Sequence, residues 1–173
     1  MSELKNIKIL TAASMLAAVA ILLGLFKIPL APILEIRFGW LPVAAAGALF
    51  GPVVAPMVGL IGDIGGYLVR PTGTFMLGFT VSAILSGLIW GLMLHRRPFS
   101  LPRIILAQAT VSLVVELLLN SLWLSMLYGN PFFFVLGSRM LKTAVMFPVQ
   151  VLMLTLVLRF VPNRHLVPEQ KRV

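Results

Sequence analysis

Cysteine is absent from the 173 residues, which excludes disulfides, thiol nucleophiles and cysteine-ligated metals. Charge is nearly as scarce: Asp, Glu, Lys and Arg make up 11% of the chain, against roughly a quarter in an ordinary soluble domain. Acid is the rarest class, with five Asp and Glu in all. The two histidines, His95 and His165, flank apolar runs among arginines with no carboxylate pair beside them, so no metal site is expected. Phosphate-loop, dinucleotide-fingerprint, H-E-x-x-H and G-x-S-x-G patterns are all missing, and with them any recognisable site for ATP hydrolysis or nucleophilic catalysis.

What remains is oil. Hydrophobic residues are 60% of the chain and mean hydropathy is +1.04. Six apolar helices of about 20 residues would use most of this length, so the sequence reads as one small membrane domain, 1–173, with little outside the lipid. The net charge of +9 would suggest a nucleic-acid partner in a soluble protein. On so apolar a chain it reports topology instead, because cytoplasmic loops collect Lys and Arg.

The first apolar run, Ile9 to Phe26, has no small-x-small cleavage site followed by a polar mature domain, so it reads as the first helix rather than a leader. The run from Phe38 to Val69 would make a helix of about 48 Å, well beyond a hydrocarbon core of about 30 Å. Gly51-Pro52, with Pro56 behind, cuts it into two short helices joined by a tight turn at 51–56. The expected architecture is therefore an all-α bundle of six transmembrane helices, approximately 9–27, 40–51, 55–69, 77–95, 103–127 and 139–160. Both termini are then cytoplasmic. Lys5, Lys8, Arg96, Arg97, Arg103, Arg159, Arg164, Lys171 and Arg172 fall inside, and Lys27, Arg37, Arg70, Arg139 and Lys142 outside, as the positive-inside rule requires. A five-span arrangement sorts the cations equally well, so helix length decides. Small-residue pairs four apart, Ala13/Ala17, Gly47/Gly51, Gly62/Gly66 and Gly87/Gly91, suit close helix packing in lipid.

Charge buried in a membrane is costly and marks function by default. Glu116, Asn120 and Trp123 are spaced four and three apart, on one face of the fifth helix. A carboxylate, an amide and an indole side by side suit a flat heteroaromatic ring: paired N–H donors to the carboxylate, an adjacent edge to the amide, stacking on the indole. A polar bridge between helices is the plainer reading of the same residues. Asp63 sits among glycines in Gly62-Asp63-Ile64-Gly65-Gly66 and could meet either a ligand or a cation such as Arg70. Arg37, Arg70, Arg139 and Lys142 place positive charge in or beside every outer loop, where it would draw in an anionic solute; lipid-phosphate anchoring is the alternative. Trp40 and Phe132 to Phe134 fit an interfacial aromatic belt.

Glu35-Ile36-Arg37-Phe38-Gly39-Trp40-Leu41-Pro42, Phe50-Gly51-Pro52-Val53-Val54, Pro71-Thr72-Gly73, Gly78-Phe79-Thr80, Asn120-Ser121-Leu122-Trp123, Leu127-Tyr128-Gly129 and Arg139-Met140-Leu141-Lys142 follow one another in that order. Taken together they resemble the folate-specific substrate-binding subunits of energy-coupling factor transporters. The likeness runs from residue 8 to about 160, departing at Met76-Leu77-Gly78 and Ala55-Pro56, both matters of loop shape. It implies a multi-pass subunit of the bacterial plasma membrane that captures folate outside the cell, with no cofactor of its own. It further implies a shared transmembrane coupling protein and two ATPase subunits as partners, with Ala13 and Ala17 forming the docking surface for the coupling protein. Phe79 and Thr80 join the candidate binding residues. The pterin's amino group and ring N–H suit Glu116 and Asn120, and the glutamate tail suits the outer cations. Alternatives are a related subunit for riboflavin or thiamine, or an intramembrane enzyme using Ser121 or Ser125 near Glu116, which lacks a base beside either serine.

Overall fold

A computed structural model describes residues 7–31, 34–71, 74–97 and 100–160. Six helices run up and down: α1 (Ile7–Leu25), α2 (Trp40–Phe50), α3 (Val54–Val69), α4 (Leu77–Leu94), α5 (Leu101–Tyr128) and α6 (Phe132–Phe160). Between α1 and α2, where the sequence suggested only a loop, the backbone forms an antiparallel hairpin of β1 (Lys27–Ala31) and β2 (Leu34–Arg37), with Lys27 opposite Arg37. The alternation in Leu34-Glu35-Ile36-Arg37 is the period of a strand, and Pro29 is tolerated on a two-stranded edge. The hairpin, Arg70, residues 74–76 and the α5–α6 turn share one end of the bundle.

The helices differ in length. α1, α4, α5 and α6 are long and apolar enough to cross a bilayer. α2 has 11 residues and α3 has 16, about 16 and 24 Å at 1.5 Å per residue, and both fall short of a core of about 30 Å. The six helices match the expected bundle, including the division of the Phe38–Val69 run into two short helices. The break between the short pair is Gly51, whose φ of 85° is open to glycine and strained for other residues, and whose N–H donates to the Gly47 carbonyl at 3.1 Å. At its upper end α2 meets the last turn of α1, where a Cβ on Gly39 would lie 3.0 Å from Gly24 Cα.

Glycines hold the bundle together. A Cβ on Gly87 would lie 2.8 Å from the Ala55 backbone, one on Gly59 2.7 Å from the Ala83 carbonyl, and one on Gly47 2.9 Å from the Gly91 nitrogen. α4 therefore lies backbone to backbone on α2 and α3, where dispersion contacts rather than water exclusion supply the attraction in lipid. The core beside it is small and dense: Ala44, Ala46 and Ala55 are fully buried, with Val54, Val58 and Trp90. Outward, Leu10, Met15, Leu22, Leu106, Leu152 and many others are exposed, as a lipid-facing surface requires.

α5 is one continuous helix with an internal π segment, Val111–Leu119. Gln108, Ser112, Glu116 and Asn120 recur every four residues along it. In an α-helix that spacing drifts about 40° per step, and the wider π turns offset the drift, keeping the polar residues on one face.

Candidate functional site

A cavity of about 590 Å³ lies among the helices and opens at the hairpin end. Arg37, Asp63, Arg70, Phe79, Glu116, Asn120, Arg139 and Lys142 all line it, from β2 and four helices. Depth sorts these charges. Arg37 and Arg70 close β2 and α3 at the mouth. Along their helices, Arg139 lies about 10 Å and Lys142 about 15 Å below the start of α6, and Glu116 about 18 Å below the end of α5. Arg139 and Lys142 are near enough to Glu116 to attract it electrostatically, and Arg37 near enough to Arg139 to repel it.

Three buried polar atoms of lining residues, Trp90 Nε1, Asn120 Oδ1 and Arg139 Nε, have no hydrogen-bond partner among the described residues. Buried groups of this kind are normally satisfied, so the site has unused capacity for a ligand: one acceptor beside Glu116 and two donors, on Trp90 and Arg139. Asp63 is not free in the same way, since Thr80 Oγ1 donates to its Oδ2 at 2.7 Å. Thr80 is buried and outside the wall, so it orients the carboxylate rather than facing the cavity.

Trp123 also stands behind the wall. Its ring packs on the bare Cα of Gly78 in α4, and its Nε1 donates to Ser82 Oγ at 3.1 Å. The stacking surfaces belong to other rings. Trp40, read from the sequence as a belt residue, stacks on Trp90 with centroids 5.6 Å apart, and both line the cavity. Trp40 Nε1 donates to the Arg37 carbonyl at 2.9 Å, which ties the hairpin to the top of α2. Nearer the mouth Tyr67 packs on Phe75 at 4.9 Å.

Sequence reasoning missed the network below Glu116. Gln150 Nε2 donates to Glu116 Oε1 at 2.9 Å, and Gln108 Nε2 donates to Gln150 Oε1 at 3.1 Å. Extending the four-residue spacing upstream from Glu116 would have found Ser112 and Gln108; nothing in the sequence pairs them with Gln150. The Ala13/Ala17 pair is turned inward. Ala17 is 3% exposed and belongs to the core, with Ala13 packed against it, because α1 lies close on α3 where Gly62 faces Ala20 and Gly65 faces Ile21. Pro71 to Gly73 falls mostly outside the described residues, since Thr72 and Gly73 are not among them.

Fold and cavity together define a membrane-embedded helical protein with a polar-lined pocket open at one end. More particularly, the chain belongs to the substrate-specific components of ECF transporters, whose family model matches residues 8–158. It is 35% identical over 123 residues to the folate transporter FolT of Clostridium novyi, covering 71% of this chain and 72% of that one. The folate transporter FolT of Leuconostoc mesenteroides is 30% identical over 125 residues, 69% of this chain and 68% of that one. A crystal structure of FolT bound with folic acid superposes with a TM-score of 0.80 at 30% identity, covering 90% of this chain and 95% of that chain. The S component of a bacterial ECF transporter gives a TM-score of 0.59 at 26% identity over 91% and 98%.

Proposed function

We propose that this chain is the folate-binding component of an ECF-type vitamin importer. The observation that carries the reading is the graded polarity of the cavity: a carboxylate and an unsatisfied amide oxygen at depth, stacked indoles on the wall, and guanidinium groups at the mouth. A pterin brings adjacent N–H donors for Glu116 and Asn120 and a flat face for the indoles. The glutamate tail then points outward to Arg37 and Arg70, while Arg139 and Lys142 balance Glu116. Riboflavin carries no carboxylates for the mouth, and thiamine is a cation that these groups would repel.

The cavity faces the outside of a bacterial plasma membrane, with both chain ends cytoplasmic. This chain binds; a transmembrane coupling protein and two ATPase subunits supply the movement, so it is not an enzyme and uses no cofactor besides the transported ligand. The coupling protein meets α1. With Ala17 turned inward, the surface on offer is the exposed face around Ser14 and Ala18. Ser14 Oγ donates to the Leu10 carbonyl at 2.9 Å, so this face presents no unsatisfied hydroxyl to a partner helix.

Tryptophan fluorescence tests the binding. Trp40 and Trp90 line the cavity, so folate should quench a Trp123→Phe variant nearly as well as the wild type, and Glu116→Ala should abolish the quench at micromolar ligand. Undiminished quenching in Glu116→Ala would remove the proposed pterin site.

A further inference from the structure

Gln150 touches the Glu116 carboxylate on the α5 wall of the cavity, and the hydrogen bonds behind it orient its amide. Its Oε1 accepts from Gln108 Nε2 at 3.1 Å and from Ser112 Oγ at 3.4 Å. Gln108 is fully buried, and its Nε2 also reaches Ser112 Oγ at 3.3 Å. A primary amide has one accepting end and one donating end. With two donors at its oxygen, Gln150 has only its nitrogen to offer Glu116, and does so at 2.9 Å. A relay thus runs from α5 to α6 and back to α5, and it ends by holding Glu116 as an acceptor.

An acceptor fixed in a wall that a bound ligand covers discriminates strongly. A ligand edge that brings two N–H groups is matched, whereas one that lacks a donor leaves carboxylate capacity desolvated and unpaired. The π segment belongs to the same device, since it keeps Gln108, Ser112 and Glu116 on the face turned to Gln150.

We propose that Gln150, backed by Gln108 and Ser112, is a positioning residue that sets the demand of this site for a donor-bearing ring edge. The proposal rests on the folate reading above. Loss of Gln150 should weaken folate binding and, separately, blunt the ability to tell folate from an analogue whose 2-amino group is replaced by hydrogen. A residue that merely packed α5 against α6 would weaken both ligands alike.

The test is equilibrium binding of folate and 2-desaminofolate to the purified full chain and its variants. Wild type should prefer folate by about tenfold or more, the scale of one hydrogen bond to a charged group. In Gln150→Met, folate should bind about tenfold more weakly and the preference should shrink to within roughly threefold. Gln150→Leu removes the amide without adding charge, so it gives the same reading if the methionine variant does not fold. An unchanged preference in a variant that still binds folate overturns the positioning role alone. Wild type that binds neither ligand overturns the folate reading and this inference with it.

Discussion

Glu116 should show the largest single-residue effect, because it is the one carboxylate deep on the cavity's α5 wall and its partner Gln150 leaves it capacity to spare. Hydrogen bonds to a charged group contribute about 1.5–3 kcal/mol each, so Glu116→Ala should weaken folate binding by roughly a hundredfold or more, read by calorimetry. Thr80 acts one step back. Thr80→Val keeps the shape and removes the 2.7 Å bond to Asp63, so a smaller loss of about three- to tenfold is expected, with the fold intact. At the mouth, Arg70→Ala should weaken folate but leave pteroate, which lacks the glutamate, nearly unchanged. Equal weakening of both ligands would place Arg70 elsewhere than on the tail.

At the scale of elements, the contact of α4 with α2 and α3 depends on missing side chains. Gly87→Val places atoms where Ala55 backbone already lies 2.8 Å from the first carbon, and neither backbone can withdraw without moving a helix. Overpacking of this kind costs typically 1–3 kcal/mol, so a lowered Tm is expected, whereas Gly137→Val, with nothing within 4 Å, should leave Tm unchanged. On α1 the same logic separates docking from folding: tryptophan at Ser14 or Ala18 should stop uptake and spare binding, while tryptophan at Ala17 should impair the fold itself.

These elements also show what was readable in the chain. Glu116 and Asn120 stood out because polar residues are rare in apolar runs, and the cut at Gly51-Pro52 followed from helix length. The hairpin did not, because two short strands beside a long apolar helix have too little periodicity to register. Trp123 was misplaced on the ligand because its spacing fixes only a helix face, and the slot that takes its ring exists only where Gly78 of α4 comes alongside. Trp40 looked like a belt residue until Trp90, 50 positions on, stacked against it. Gln150 was silent for the same reason: its meaning lies in the α5–α6 pairing.

For the whole molecule, four helices are long and apolar enough to cross the lipid, and 173 residues enclose a cavity of about 590 Å³ that opens at the hairpin end. On the proposed reading, binding and movement belong to different proteins. Liposomes containing this chain alone should bind folate without accumulating it, and ATP-dependent uptake should appear only when a coupling protein and its two ATPases are present. Accumulation by the chain alone would identify a self-sufficient carrier.

The most direct measurement is equilibrium binding of labelled folate to the purified chain, with unlabelled folate, pteroate, riboflavin and thiamine as competitors. Saturable sub-micromolar binding of one folate per chain is expected, displaced by folate, more weakly by pteroate, and not by riboflavin or thiamine. Absence of folate binding, or displacement by riboflavin or thiamine at lower concentration than by folate, would contradict the assignment.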